Sequence, residues 1–318
     1  MDKKLEKKLR SNLITYWIVQ VLRDVKHMFT IPLNKEKLVR RNYKAVFGVE
    51  PNLDNPQTLN EKMQWLKLYD HQDFYTECAD KFLVRNFLIK KFGEDVKEYI
   101  IPLFYETMNW RDITMDVLPN SPCIIKPTHT SGDYWIIKDK KDIDIKLLRR
   151  DCRHWLNIDY YRISGEWQYK NAPRRIIIEQ LLQCKDGHIP NDYKLHYING
   201  DLQFVYCSIG RETINIRKIY DAEWKPVPFS WLPINKNEDD TRGEDIPQPE
   251  SFGLMRKFAD EIAKMFDYVR VDFYDVDGKM YFGEITLYHG GGTDVFSPSE
   301  YDMFYGKKLK LTKFKFRK

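Results

Sequence analysis

The chain has little cysteine, and none of it in a useful spacing. Cys78, Cys123, Cys152, Cys184 and Cys207 are odd in number, widely separated and without a C-x-x-C pair. That excludes a disulfide framework and a zinc ribbon and makes a reducing cytoplasm the expected compartment. No apolar run is long enough to span a bilayer. The longest, Leu13 to Leu22, is about half of the ~20 residues required. Arg23, Asp24 and Lys26 follow it without a small-x-small cleavage site, so it does not read as a signal peptide. Glycine-rich phosphate motifs are missing too: neither G-x-G-x-x-G nor G-x-x-x-x-G-K-[ST] occurs, and a Rossmann fold loses its main support. Repeats, Gly/Ser linkers and low-complexity tracts are also absent, so boundaries must come from changes in periodicity.

What is present is an ordinary globular composition with an uneven charge. The 318 residues, 42% hydrophobic and 31% charged, are enough for two or three structural units. The net charge is +5, but residues 1–44 carry +8 and residues 306–318 carry +7, which leaves −10 on the body between them. Nucleic-acid binding is not expected, because its positive charge should line the working face rather than the ends. Basic ends suit arms lying near anionic lipid, and the segment from Leu13 to Leu22 reads as an amphipathic helix facing either a membrane surface or the protein's own body.

Thr58-Leu59-Asn60-Glu61 is a capping box and predicts a helix over 58–69, with Met63, Trp65 and Leu66 apolar. A second helix is expected over 79–91, with Lys90 and Lys91 in its last turn before Gly93. Strands are expected at 123–126 and 134–137, flanking the loop Pro127 to Asp133, and at 175–178, ending in Glu179. Asn199-Gly200 joins two more as a hairpin, 193–198 and 202–206. Leu254, Phe258 and Ile262 then recur at helical spacing before strands at 269–274 and 280–286. This order is α+β rather than a repeating β-α-β pattern.

The segment VRVDFYDVDGKMYFGEITLYHGGG, 269–292, carries the most chemistry. Alternation puts Arg270 and Asp272 on one face of the first strand and Glu284 and Thr286 on one face of the second. A two-residue Asp277-Gly278 turn would place Asp272 and Glu284 on opposite faces. A three-residue loop ending in a bulge at Gly278 would place them together. Together they could hold Mg²⁺; apart they are solvated hairpin residues. Asp275-x-Asp277 has the form of a glycosyltransferase D-x-D, and an Asp-Gly turn explains the same letters. Lys126 ends a strand before a small-residue loop and could clamp phosphates. Lys194 and His196 share a strand face. His129 and His289 belong to no recognisable nucleophile motif and read as structural. Gly290-Gly291-Gly292 could bring backbone amides close to an oxyanion.

The succession Asp80-Lys81, IIKPTHTSGD, IIIEQLL, DYKLHYINGD, VRVDFY and FGEITLYHGGG, with LNEKMQWLKLYD before it, resembles the ATP-grasp superfamily over residues 57–296, specifically its TupA-like branch, linked to bacterial cell-surface polysaccharide. The resemblance implies an α+β ATP-grasp fold, two lobes with antiparallel sheets and ATP between them, preceded by a helical N-terminal region. The implied segments are a basic helical arm at 1–56, a helical region at 57–118, a small lobe at 119–182, a large lobe at 183–300 and a basic tail at 301–318. It also implies ATP and Mg²⁺ as cofactors. Lys81, Lys126, Ser131 and Gly132 would meet the phosphates, the loop 127–132 acting as a lid. Glu179, Gln180, Leu181 and Leu182 would form the adenine hinge, and Lys194 would reach the nucleotide from the large lobe. Asp272, Glu284 and Thr286 would be the metal ligands, Thr286 standing where the wider superfamily has Asn. Arg270, Lys194 and the Gly291 amide would serve the reacting groups. The implied reaction joins a carboxylate, on a uronic acid of a surface glycan, free or lipid-linked, to an amine such as an amino acid, in the cytoplasm or peripherally on the inner face of the membrane. Two other functions remain open: a glycosyltransferase, and an ATP-grasp scaffold that binds without turnover.

Overall fold

The computed structural model describes Val19, Leu22 and residues 30–210, 216–236 and 243–312. Most of the amphipathic stretch from Leu13 to Leu22, and residues 313–318 of the basic tail, lie outside the described residues. Among the described residues no helix is long and apolar enough to cross a membrane.

The N-terminal region is helical. α1 (Lys35–Phe47) starts at Asn34, whose side chain accepts from the Lys37 amide. α2 (Leu59–Tyr69) carries the capping box in full: Thr58 Oγ1 accepts from the Glu61 amide at 3.1 Å and Glu61 Oε2 accepts from the Thr58 amide at 3.2 Å. The single helix expected over 79–91 is instead two, α3 (Phe74–Ala79) and α4 (Leu83–Phe92). Asp80 makes the break, because its carboxylate accepts from the amides of Phe82 and Leu83, both at 2.9 Å, and so caps a new helix start.

The first sheet holds β1 (Leu103–Thr107), β2 (Cys123–Pro127), β3 (Trp135–Ile137) and β4 (Ile176–Gln180) in the antiparallel order β1-β4-β2-β3. β1 comes from the segment 57–118 expected to precede this lobe. One face, with Cys123, Ile125, Ile176 and Ile178, packs against Leu148, Cys152 and Trp155 of α5 (Ile145–Asn157). Strand alternation turns Lys126 and Glu179 to the other face.

The second sheet comprises β5 (Asp192–Ile198), β6 (Asp201–Ile209), β7 (Ile216–Tyr220), β9 (Tyr268–Val276) and β10 (Lys279–Thr286), ordered β10-β9-β5-β6-β7. β8 (Ser230–Leu232) precedes β9 in the chain and pairs with β11 (Val295–Ser297). Asn199 and Gly200, with φ of 49° and 88°, make the β5–β6 hairpin as expected. One face of the sheet shares a core with Met255, Ala259 and Ile262 of a helix over Phe252–Ala263. The other carries Lys194, Arg270 and Asp272.

The segment 301–318, expected as a tail, belongs to the body as far as Thr312. Its helix, Glu300–Lys308, packs on α2, where the Asp302 carboxylate accepts from the Asn60 amide at 2.9 Å and side chain at 3.1 Å.

The loop after β2 is anchored over half its length. Thr128, His129 and Thr130 are buried. The Thr128 amide donates to Arg175 O at 2.9 Å, and Lys81 Nζ donates to Thr130 O at 2.6 Å. His129 Nε2 lies 3.1 Å from Trp155 O; a carbonyl only accepts, so Nε2 carries the proton. The exposed tip is reduced to Ser131 and Gly132, the latter at φ 89°, because the polar groups before it are tied to Arg175, to Trp155 of α5 and to Lys81.

Burial pushes the His129 imidazole down to about 4. The unfolded chain takes this proton near 6.5 and the folded one does not, so stability falls as pH drops from about 6.5 to about 4 and is unaffected above that window. The contribution across the window is about 3 kcal/mol. Chemical denaturation at pH 7 and pH 5 should show the wild type losing about 2 kcal/mol more than His129→Gln; parallel losses would show that His129 stays accessible to protons.

Candidate active site

Of the two hairpin registers anticipated from the sequence, the two-residue turn is observed, but the register changes farther along β10. Val276 pairs with Lys279 and Phe273 with Phe282, as a two-residue Asp277-Gly278 turn requires, and that register alone would separate Asp272 from Glu284. Farther along, Val271 pairs with Ile285 and Arg270 with Thr286, so β10 holds one extra residue between Phe282 and Ile285. This bulge at Gly283–Glu284 turns Glu284 to the face of Asp272. Position 283 must be glycine for the bulge to close: a Cβ there would sit 2.9 Å from the Asp272 carbonyl oxygen and 3.2 Å from its Cβ.

Arg270 is the centre of the resulting cluster and is 8% exposed. Its Nε and Nη2 donate to the two oxygens of Asp272 at 2.7 Å each, and Nη2 also donates to Glu284 Oε1 at 2.6 Å. Nη1 donates to His289 Nδ1 at 2.9 Å, which leaves Nε2 to face Asp294 at 3.3 Å. Lys194, paired with Asp272 across β5 and β9, sits 3.3 Å from Asp272 Oδ2 and bonds Asp192 as well. Burial raises the Asp272 carboxyl to about 6 against the pull of Arg270 and Lys194. Burial acts in the same sense on Glu284, but Arg270, Lys81 and Lys194 outweigh it and hold that carboxyl at about 2. Two carboxylates on one sheet face therefore differ widely in basicity.

The other sheet contributes cations. Lys126 Nζ lies 2.5 Å from Glu179 Oε2, and Arg85 Nη2 donates to Glu179 Oε1 at 2.5 Å. These two cations hold Glu179 ionised, below its usual range, against the effect of burial. The carboxylate expected at the adenine hinge is thus a holder for Lys126. Burial lowers Lys81, and its charge is felt by Glu284 and Lys126, so both sheets turn charge toward one place. The Gln180 amide donates to Pro102 O at 2.9 Å and the Leu181 amide to Pro122 O at 3.1 Å. Two of the three hinge amides, those before Leu182, are thereby engaged within the protein.

Two further expectations meet a different geometry. Thr286 Oγ1 donates to Glu284 Oε1 at 3.1 Å, so its hydroxyl orients Glu284. The Gly291 amide donates to Tyr288 O at 3.0 Å, and the Gly291 carbonyl accepts from Gln64 and from buried Lys67, both at 3.0 Å. That amide is unavailable to an oxyanion as the loop stands. Asp275 and Asp277 are turn residues: Asp275 accepts from Ser251 and the Gly278 amide, and Asp277 accepts from the Lys185 amide. They form no D-x-D metal pair.

Among the described residues no group of three or more His, Cys, Asp or Glu could enclose a metal. Asp272 and Glu284 nonetheless fit Mg²⁺, which takes one or two carboxylates and leaves its other positions to water and phosphate oxygens. Sequence reasoning missed Asp192, two residues before Lys194 and on its face by simple alternation. It also missed Arg85, which no local signal marks, and it set His289 aside as structural although it holds Arg270.

Gly283→Ala should destabilise the protein by about 1–3 kcal/mol and weaken nucleotide binding, because the bulge cannot close over a methyl group. Gly253→Ala, with nothing within 4 Å of the added Cβ, is the control; equal behaviour of the two in thermal unfolding and in ATP titration would show that the bulge is not held this way.

The family model described as TupA-like ATPgrasp matches residues 61–310. No curated protein matches the chain. Among solved structures, the D-alanine–D-alanine ligase of Bacillus anthracis complexed with ATP is 15% identical, with 66% of this chain and 53% of that one covered and a TM-score of 0.37. The D-alanine–D-alanine ligase of Helicobacter pylori is 16% identical, with coverage of 79% and 69% and a TM-score of 0.42. The L-amino acid ligase of Bacillus licheniformis is 12% identical, with coverage of 89% and 64% and a TM-score of 0.44. This chain thus spans little more than half of the first of these relatives and about two thirds of the others. The family model covers most of the sequence, including both sheets and the Arg270 cluster, and the chain belongs to the TupA-like ATP-grasp family.

Proposed function

We propose that the protein is an ATP-dependent carboxylate–amine ligase acting through an acylphosphate, and that it joins an amino acid or short peptide to a uronic acid of a bacterial cell-surface polysaccharide. The observation that carries this reading is the assembly of Asp272, Glu284, Arg270 and Lys194 on one sheet face, with Lys126 of the other sheet and Lys81 of the α3–α4 turn brought toward it. Phosphoryl transfer needs little covalent chemistry from a protein; it needs the charge spreading over phosphate oxygens to be met by fixed cations. Lys126, held by Glu179, and Lys81, held by Thr130 O, are such cations.

Asp272 and Glu284 would hold Mg²⁺, which would neutralise phosphate charge and orient the transferred group. Arg270 is then partly relieved of its carboxylates, and its guanidinium can turn to the substrate carboxylate and the oxyanion formed when the amine attacks. The amine displaces phosphate from the acylphosphate, and the buried setting of Arg270 and Asp272 keeps competing water out. His289 fixes the guanidinium plane from the far side.

A glycosyltransferase reading finds no support in Asp275 and Asp277, which are engaged by backbone amides. A scaffold without turnover is disfavoured by the full set of cations and carboxylates.

Calorimetry of ATP binding with Mg²⁺ tests the site. The wild type should bind in the micromolar range, with Asp272→Asn and Lys126→Ala each at least about tenfold weaker, the loss of one charge-assisted contact. Wild-type protein that binds no ATP would end the ligase reading. With binding in hand, ADP release from mixtures of uronic acids and amino acids identifies the pair. We further propose that the basic ends place the enzyme on the inner face of the membrane beside a lipid-linked glycan. Deletion of residues 1–30 together with 313–318 should then abolish sedimentation with anionic liposomes at physiological salt, where a juxtamembrane basic residue contributes ~1 kcal/mol; unchanged sedimentation would leave the enzyme without this attachment.

A further inference from the structure

The phosphoryl-transfer site leaves one buried carboxylate beside it without a task. Glu166 is 8% exposed and lies between the helical turn Tyr160–Ser164 and the short helix Trp167–Tyr169. One of its oxygens, Oε2, accepts from Gln168 Nε2 at 2.8 Å. Among the described residues no hydrogen bond or ion pair reaches the other, Oε1. Lys67 is the cation whose charge Glu166 feels, yet its Nζ donates to the Gly291 carbonyl at 3.0 Å. Burial pushes the Glu166 carboxyl above its usual range in spite of Lys67 and Gln168, and the negative charge of Glu284 adds to the rise.

Glu166 stands next to the reacting groups. A Cβ at Gly291 would be 3.9 Å from Oε1, so the carboxylate lies against the turn that follows β10. Tyr160 and Tyr169, with rings 4.9 Å apart and edge-to-face, both feel Glu166 and Glu284, and the Tyr160 hydroxyl also meets Ser131 at the tip of the loop after β2. The open positions here are acceptors. Besides Glu166 Oε1, the side-chain oxygen of Gln168 is buried and has no partner, in a residue 2% exposed. Such an acceptor costs free energy until something donates to it. The tyrosines add hydroxyl oxygens that accept and ring faces that attract a cation. Acceptors gathered round a carboxylate that Lys67 only partly meets call for a cation with several N–H groups, and a primary ammonium has three donors. Mg²⁺, held by carboxylates, phosphate oxygens and water, has less use for a neutral amide and two phenols. An anionic or neutral ligand would leave Glu166 without a counter-charge.

We infer that Glu166, Gln168, Tyr160 and Tyr169 form the subsite for the primary ammonium of an amino acid, with Glu166 as the residue that selects it. Held there, the nitrogen is beside Glu284 and the Gly290–Gly292 turn, on the side from which an acyl carbon bound at Arg270 is reached. The inference rests on the ligase reading for the use made of the amine. Binding of an ammonium is measured without turnover, so the two can fail separately.

The test is calorimetric titration of the full chain with each standard amino acid and with its Nα-acetyl derivative, which lacks the ammonium, both with and without Mg²⁺ and a non-hydrolysable ATP analogue. ATP is titrated in parallel. At least one amino acid should bind the wild type, and its Nα-acetyl derivative should not. Glu166→Gln should weaken that amino acid by about tenfold or more, and Tyr169→Phe, which keeps every charge, by about threefold. ATP affinity close to that of the wild type shows that each variant folds. If Glu166→Gln loses ATP binding as well, because Lys67 is left buried without its counter-charge, Tyr169→Phe alone decides, and wild-type amino-acid affinity in it overturns the inference. Wild-type affinity retained by a folded Glu166→Gln, equal binding of the Nα-acetyl derivative, or no amino acid bound by the wild type would each overturn it too. Failure of the ligase reading has a different signature: absent ATP binding, with amino-acid binding that still depends on Glu166.

Discussion

The structure depends on one buried guanidinium. Arg270 holds both oxygens of Asp272 and one oxygen of Glu284, and it is itself held by His289. Taking such charges out of water is costly, and only close pairing with good geometry offsets the cost. Each partner therefore fixes the others. β9 supplies the arginine and the aspartate, the bulge in β10 supplies the glutamate, and the glycine-rich turn after β10 supplies the histidine. Deleting one member would leave uncompensated charge inside the protein, so the cluster sets the register of the hairpin as much as the hairpin sets the cluster.

The same logic organises the other sheet. Glu179 draws Lys126 and Arg85 together, and Lys81 is pinned to the carbonyl of Thr130. Cations that face a polyanion would repel one another if left alone. Holding them on carboxylates and carbonyls fixes their positions in advance, so that a phosphate chain meets an ordered array rather than three flexible side chains. The anchored base of the loop after β2 belongs to this arrangement: Thr128 and His129 tie it down, and only Ser131 and Gly132 extend from it. Any closing movement over a ligand is thereby concentrated in two residues.

Much of this was legible in the sequence because it is local. A capping box needs only four residues, and an Asn-Gly turn needs two; both are found where they were read. Alternation alone placed Arg270 and Asp272 on one face, and it could have added Asp192 to Lys194. The order of six short segments pointed to the family that the family model matches.

Other features depended on distance through space. Whether Glu284 joins Asp272 is decided not at the hairpin turn but five residues beyond it, where Gly283 lets a backbone carbonyl approach to a distance that any side chain would forbid. Arg85 reaches Glu179, and β1 joins a sheet built mostly from residues twenty or more positions later. The helix at Glu300–Lys308 reads as part of a basic tail until Asp302 meets Asn60. The sequence by itself determined the elements, the charged groups and the family, because these follow from neighbouring residues. The tertiary structure decided which charges meet, because burial makes pairing obligatory and only the packed chain shows which partners are in reach.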